Sequence, residues 1–294
     1  MNITGRIKLQ KLKSELLAIF LFIISSIFSL YLALNLYDVP SIKGESSSIN
    51  IFFVFYYIGF IVLFTIIILF LVKKHARLIK SIFTIIVIYM VFVVSSIISG
   101  IISVNVFEYY SIIGIVTAFF AYMVIFKNEW YITDTVGIIM ISGAAAIIGI
   151  LLKPYIAMVL LIVFAVYDYI SVYKTKHMVT LAKAAVDNSF PLMFALPNSR
   201  GMKLKELTFD NRGESNVLML GFGDMAIPEI LIVSSSIFYI NYILIFAVFT
   251  IGGAIIALYL LFLTNRNKPA PGLPYINTGV IIGFLIAFLI IYLH

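Results

Sequence analysis

Two carboxylates, Asp168 and Asp224, stand inside stretches of sequence that are otherwise almost wholly apolar. At bilayer depth a carboxylate is expensive unless it is paired, protonated or turned toward water, so its presence there points first to function. Asp224 closes Gly221-Phe222-Gly223-Asp224, and the two glycines loosen the backbone so that water and peptide can approach the acid. Asp168 follows Tyr167, whose hydroxyl is placed to hydrogen-bond the acids or a substrate carbonyl; a structural phenol is an equal reading in a chain with 18 tyrosines. Further along, Pro271-Gly272-Leu273-Pro274 leaves amides and carbonyls that no helix satisfies, a natural place to hold an extended peptide. Two facing carboxyls cannot both ionise cheaply, so they share a proton and titrate as a pair. One then activates water while the other polarises a carbonyl, which is the chemistry of aspartic peptide hydrolysis.

The elements that position these residues are set by composition. A chain of 294 residues with 63% hydrophobic and 11% charged residues is a polytopic membrane protein rather than a soluble domain. Runs long enough to span, about 20 residues each, are expected at 16–36, 51–72, 81–104, 109–126, 135–152, 155–173, 216–236, 239–264 and 272–293. These runs are too long and too evenly apolar for barrel strands, so the expected class is an all-α polytopic membrane protein of nine transmembrane helices.

Charge orients the bundle. With a cytoplasmic N-terminus, eighteen of the 20 Lys and Arg fall inside and only Lys43 and Lys153 outside, a strong positive-inside asymmetry that puts the C-terminus on the extracellular side. The net charge of +7 is absorbed by this topology and by anionic lipid, so no nucleic-acid partner is needed. The expected setting is the cell membrane, crossed many times.

Three parts follow: a six-span bundle over 1–173 carrying Tyr-Asp, a cytoplasmic loop over 174–215, and a three-span part over 216–294 carrying the Gly-rich and Pro-rich motifs. Asp168 lies about 9 Å from the cytoplasmic end of its span and Asp224 about 12 Å from the start of its own, at 1.5 Å per helical residue, so the two fall at similar depth. Within the loop, 189–197 is an apolar island bounded by prolines, too short to span, that is expected at the membrane surface and could block the cleft until substrate arrives. A short strand is allowed over 203–210.

Several residues have plainer readings. His75, His177 and His294 fall at membrane edges, and with no cysteine present the sequence implies neither a metal site nor any other cofactor. Trp130 and Tyr131 read as interfacial anchors. The Gly and Ala clusters at 142–149 and 252–257 read as close helix packing. Glu229, five residues beyond Asp224, reads either as a third acid deeper in the membrane or as a residue near the outer end of a short, broken seventh span; Pro228, which should interrupt the helix just before it, favours the outer edge.

Together, Tyr167-Asp168 in the sixth span, Gly221-Phe222-Gly223-Asp224 in the seventh and Pro271-Gly272-Leu273 at the ninth resemble the GxGD aspartyl intramembrane proteases, the presenilin and signal peptide peptidase family in its short archaeal-type form. The resemblance covers essentially the whole chain. It implies that Asp168 and Asp224 are the catalytic pair, that Pro271, Gly272 and Leu273 shape the active site, and that the long loop lends a strand to hold an unwound substrate. The family usually has Leu where Phe222 stands and Ala where Gly272 stands. Both differences leave the acids intact and bear on substrate preference. The implied function is an endopeptidase that cuts transmembrane segments or signal-peptide remnants, with membrane lipids and transmembrane peptides as partners. No activating subunit is demanded, and homo-oligomers are compatible. The competing classes are a prepilin-type peptidase and a proton- or ion-coupled transporter or leak channel; the latter should show an inverted repeat, which six spans followed by three do not.

Overall fold

The computed structural model describes residues 3–37, 59, 63, 76–127, 129–174, 193–197, 217–265 and 270–293. The expected span at 51–72 and the strand expected at 203–210 lie outside the described residues. Those described form helices α1 (Ile3–Tyr37), α2 (Ala76–Ile102), α3 (Val106–Tyr122, running on into a π-turn), α4 (Trp130–Leu151) and α5 (Pro154–Tyr173). Strands β1 (Met193–Pro197) and β2 (Val217–Gly221) follow, then α6 (Phe222–Phe238), α7 (Ile243–Thr264) and α8 (Gly272–Leu293). All the helices except α6 contain a stretch long and apolar enough to cross a membrane, seven in total. The chain is an all-α polytopic membrane protein, with one small β element among the described residues.

Proline and glycine punctuate these helices in ways that matter for the site. Pro154 sits in the first turn of α5, where its missing N–H costs nothing, and the extended Leu152 and Lys153 before it turn the chain sharply back from α4. Gly149 of α4 is crossed by α6 so closely that a Cβ there would lie 2.6 Å from the Val233 side chain and 3.1 Å from the Ile230 carbonyl. Gly253 of α7 and Gly279 of α8 meet backbone to backbone, with no room for a side chain on either. In lipid, where apolar burial alone drives little association, such close approach is what holds helices together.

Helix α6 is the hub. It lies against α1, α4, α5, α7 and α8. Every residue from Pro228 to Ile237 is buried. Helix α3 is its opposite, packing chiefly on α2 and presenting most of its surface outward.

One expectation is corrected here. The seventh apolar segment, read from sequence as a helix over 216–236, begins instead with five residues of strand, paired antiparallel with β1 so that Phe194 faces Leu220 and Leu196 faces Leu218. The segment Val217-Leu218-Met219-Leu220 has no polar residue to reveal its period, and a buried strand and a buried helix look alike over so short a run. The partner strand comes from the apolar island at 189–197. Its Phe194 and Leu196 are buried, in a strand that leans on α4 and α1.

Candidate active site

Asp168 lies near the C-terminal end of α5 and is buried. Asp224 lies in the first turn of α6, immediately after β2, and is half-buried. Because extended chain precedes it, its depth does not follow from helical rise alone. What brings the acids together is the start of α8. The Leu273 amide donates to Asp168 Oδ2 at 3.2 Å. Its neighbour Gly272 lies against the other acid, so closely that a Cβ there would be 3.1 Å from Asp224 Cγ and 3.2 Å from Oδ2. Consecutive residues of one helix therefore touch the two carboxyls carried by two other helices.

Each sequence-derived site residue can be placed. Gly221 ends β2, and its amide donates to Asp224 Oδ2 at 3.3 Å, closing the strand-to-helix corner over the acid. Gly223 is exposed, with nothing within 4 Å of where a Cβ would be, and it forms the open side of the corner. Phe222 points the other way. Its ring is buried edge-to-face on Phe194 of β1, centroids 4.8 Å apart, above Gly137 of α4, where a Cβ would strike it. Pro271, Gly272 and Leu273 are all buried, and Tyr167 is half-buried beside Asp168.

The geometry also contains groups that sequence reasoning passed over. Asn277, one turn beyond Leu273, is buried and donates through Nδ2 to the Leu161 carbonyl of α5 at 2.8 Å, which ties α8 to the helix bearing Asp168. A lone amide in an apolar span, four residues after the motif, was the available signal. Phe194 was legible only as part of an apolar island. Glu229 departs from expectation: α6 continues through Pro228, and Glu229 is wholly buried in mid-helix rather than at an outer edge. A proline can stay within a membrane helix when neighbouring groups satisfy what it frees.

Taken together, a bundle of apolar helices with a pair of acids gathered at one helix start, beside a strand-to-helix corner, defines a membrane protein built for aspartyl chemistry. The family described as signal-peptide peptidase, presenilin aspartyl protease matches residues 19–293. The chain belongs to that family and is an intramembrane aspartic endopeptidase. Its structure is similar to that of a presenilin family intramembrane aspartate protease solved in space group C222, with TM-score 0.68 and 25% identity over 94% of this chain and 99% of that one. A second form of such a protease, in space group P2, gives TM-score 0.65 and 24% identity over 92% and 96% of the two chains. No curated protein matches the sequence.

Proposed function

We propose that the enzyme hydrolyses peptide bonds within transmembrane segments or signal-peptide remnants, with Asp168 and Asp224 as its catalytic pair. The observation that carries this reading is that two adjacent residues meet both acids: the Leu273 amide bonds Asp168, and Gly272 lies against Asp224. In the reaction the ionised acid takes a proton from water as the water oxygen bonds to the scissile carbonyl carbon. The protonated acid gives its proton to the carbonyl oxygen. Collapse of the resulting gem-diol returns a proton to the departing nitrogen as the C–N bond breaks, and the acids exchange roles.

Gly221 and Gly223 keep the corner at Asp224 narrow and open, Phe222 braces it, Pro271 to Leu273 form the cleft wall, and Tyr167, next to Asp168 in sequence, is the residue whose hydroxyl would meet the substrate. A peptide bond inside a helix is shielded, so the substrate must unwind locally. The β1–β2 pair beside the acids supports strand addition as the way the unwound segment is held.

The arrangement we favour is nine spans, with the N-terminus cytoplasmic, the C-terminus extracellular and the acids toward the cytoplasmic side. The parts are 1–173, 174–215 and 216–294, and the setting is the cell membrane. The positive-inside distribution of Lys and Arg supports that orientation. Both acids and the cleft element come from this one chain, which supports activity without an accessory subunit, on transmembrane peptides delivered through the surrounding lipid.

The test is cleavage of a helical transmembrane reporter by purified protein in lipid, with products identified by mass spectrometry. Asp168→Ala and Asp224→Ala should each abolish cleavage while the protein still folds. Activity surviving in either variant would remove that acid from the mechanism.

A further inference from the structure

Glu229 is the one acid buried in the bundle core beyond Asp224 on the same helix, and the reaction above leaves it unused. Its carboxyl is gripped from α1. Ser25 donates to Oε1 in a short hydrogen bond, and Ser26 Oγ stands 3.5 Å from the same oxygen, while Ser29 one turn on donates to the Ser26 carbonyl at 2.9 Å. The grip is itself backed, since Ser142 of α4 donates to the Ser25 carbonyl at 3.0 Å. Five further residues along α6, Ser234 donates to the Leu152 carbonyl in the α4–α5 turn. Helix α6 is thus fixed by polar contacts on two sides from Glu229 onward.

The turn that carries Asp224 is held differently. Pro228 has no N–H, and in a helix the missing amide is the one that would bond the carbonyl four residues back, which here belongs to Asp224 itself. Its ring also crowds that carbonyl. The break in the helical ladder therefore falls between the turn bearing the acid, 222–227, and the part of α6 that begins at Glu229. The Glu229 clamp is thus the first polar fixture of α6 after the turn that bears Asp224, and the point from which that turn extends.

Resting on the assignment of Asp224 as a catalytic acid, we propose that Glu229 is a positioning residue. Its clamp to the α1 serines fixes α6 immediately beyond the Pro228 break and so holds Asp224 at the distance from Asp168 and Gly272 that the reaction needs. Glu229 touches neither substrate nor the reacting atoms. It acts as a hydrogen-bonding anchor, and an amide of the same shape should serve.

The experiment uses the full chain in lipid and reads kcat and KM separately on the transmembrane reporter, with thermal unfolding as the check on folding. Glu229→Leu should lower kcat about tenfold with KM nearly unchanged, given that a displacement of 1 Å costs on the order of 100-fold. Glu229→Gln should retain most of kcat. The paired change Ser25→Ala with Ser26→Ala loosens the same clamp from α1, and it serves as the second variant if Glu229→Leu does not fold.

A folded Glu229→Leu or serine variant with wild-type kcat overturns the proposal. So does a Glu229→Gln variant as impaired as Glu229→Leu. Asp224→Ala, run alongside, separates these outcomes from failure of the catalytic assignment. If that variant remains active, the assignment of Asp224 falls, whatever the Glu229 variants do.

Discussion

Replacing Gly272 with Ala restores the residue usual at this position in the family, yet this structure predicts a loss. The backbone at Gly272 is not in the left-handed region, so Ala adopts it without strain, and the gain from a less flexible unfolded chain is about 0.4–1 kcal/mol. The new methyl, however, would stand 3.1 Å from Asp224 Cγ and 3.2 Å from Oδ2, while ordinary contact begins at 3.4 Å. Asp224 must yield by about 0.3 Å. At on the order of 100-fold per ångström of misplacement, that is about a fourfold fall in kcat, or about 0.8 kcal/mol on the barrier at 1.36 kcal/mol per tenfold. The expected signature is a thermal midpoint equal to or above wild type together with reduced kcat and little change in KM. The assay is steady-state cleavage of a transmembrane reporter in lipid, paired with unfolding of the same preparation. A Gly272→Ala enzyme with unchanged or raised kcat would refute the reasoning, because Asp224 would then have slack at the point where the structure leaves it none.

Three further outcomes follow from the same geometry. Asn277→Leu removes the 2.8 Å bond from α8 to the Leu161 carbonyl; polar helix–helix bonds in membranes are worth about 0.6 kcal/mol, so the unfolding midpoint should fall slightly while kcat falls more, and a kcat unaffected by the change would separate α8 docking from alignment of the acids. Phe194→Ala removes the ring on which Phe222 rests, loosening the strand-to-helix corner, and mass spectrometry of the products should show a broader set of cut positions; a product set identical to wild type would count against the bracing role. Cleavage by an acid pair sharing one proton should follow a bell-shaped dependence on pH, and a monotonic profile would speak against the pair.

The acids and the residues that gather them were legible because each breaks a rule of its surroundings: a carboxylate in an apolar run, glycines before it, prolines at a helix start. The limits were equally physical. Val217 to Leu220 is apolar at every position, so nothing in it distinguishes the strand it forms from the helix its hydropathy predicts. Pro228 was read as a helix end, since proline costs a hydrogen bond; the buried surroundings of α6 hold the helix through it, and no local pattern announces that. Ser25, Ser26 and Ser29 are small polar residues spaced along one face of α1, a pattern equally suited to close packing. Only their meeting with Glu229, some two hundred positions away in sequence, gives them a different meaning.

The shortness of α6 solves a supply problem. At 1.5 Å per residue its 17 residues reach about 26 Å, short of the roughly 30 Å of hydrocarbon they would need to cross. Before it comes β2, an extended segment whose amides and carbonyls need polar partners that lipid tails do not offer. One edge of that segment is met by β1. Solvent is the natural partner for polar backbone left over, and it is also a reactant. A helix that stops short at Asp224, beside a glycine with open space around it, thins the oily barrier at the place where a hydrolase has to be wet.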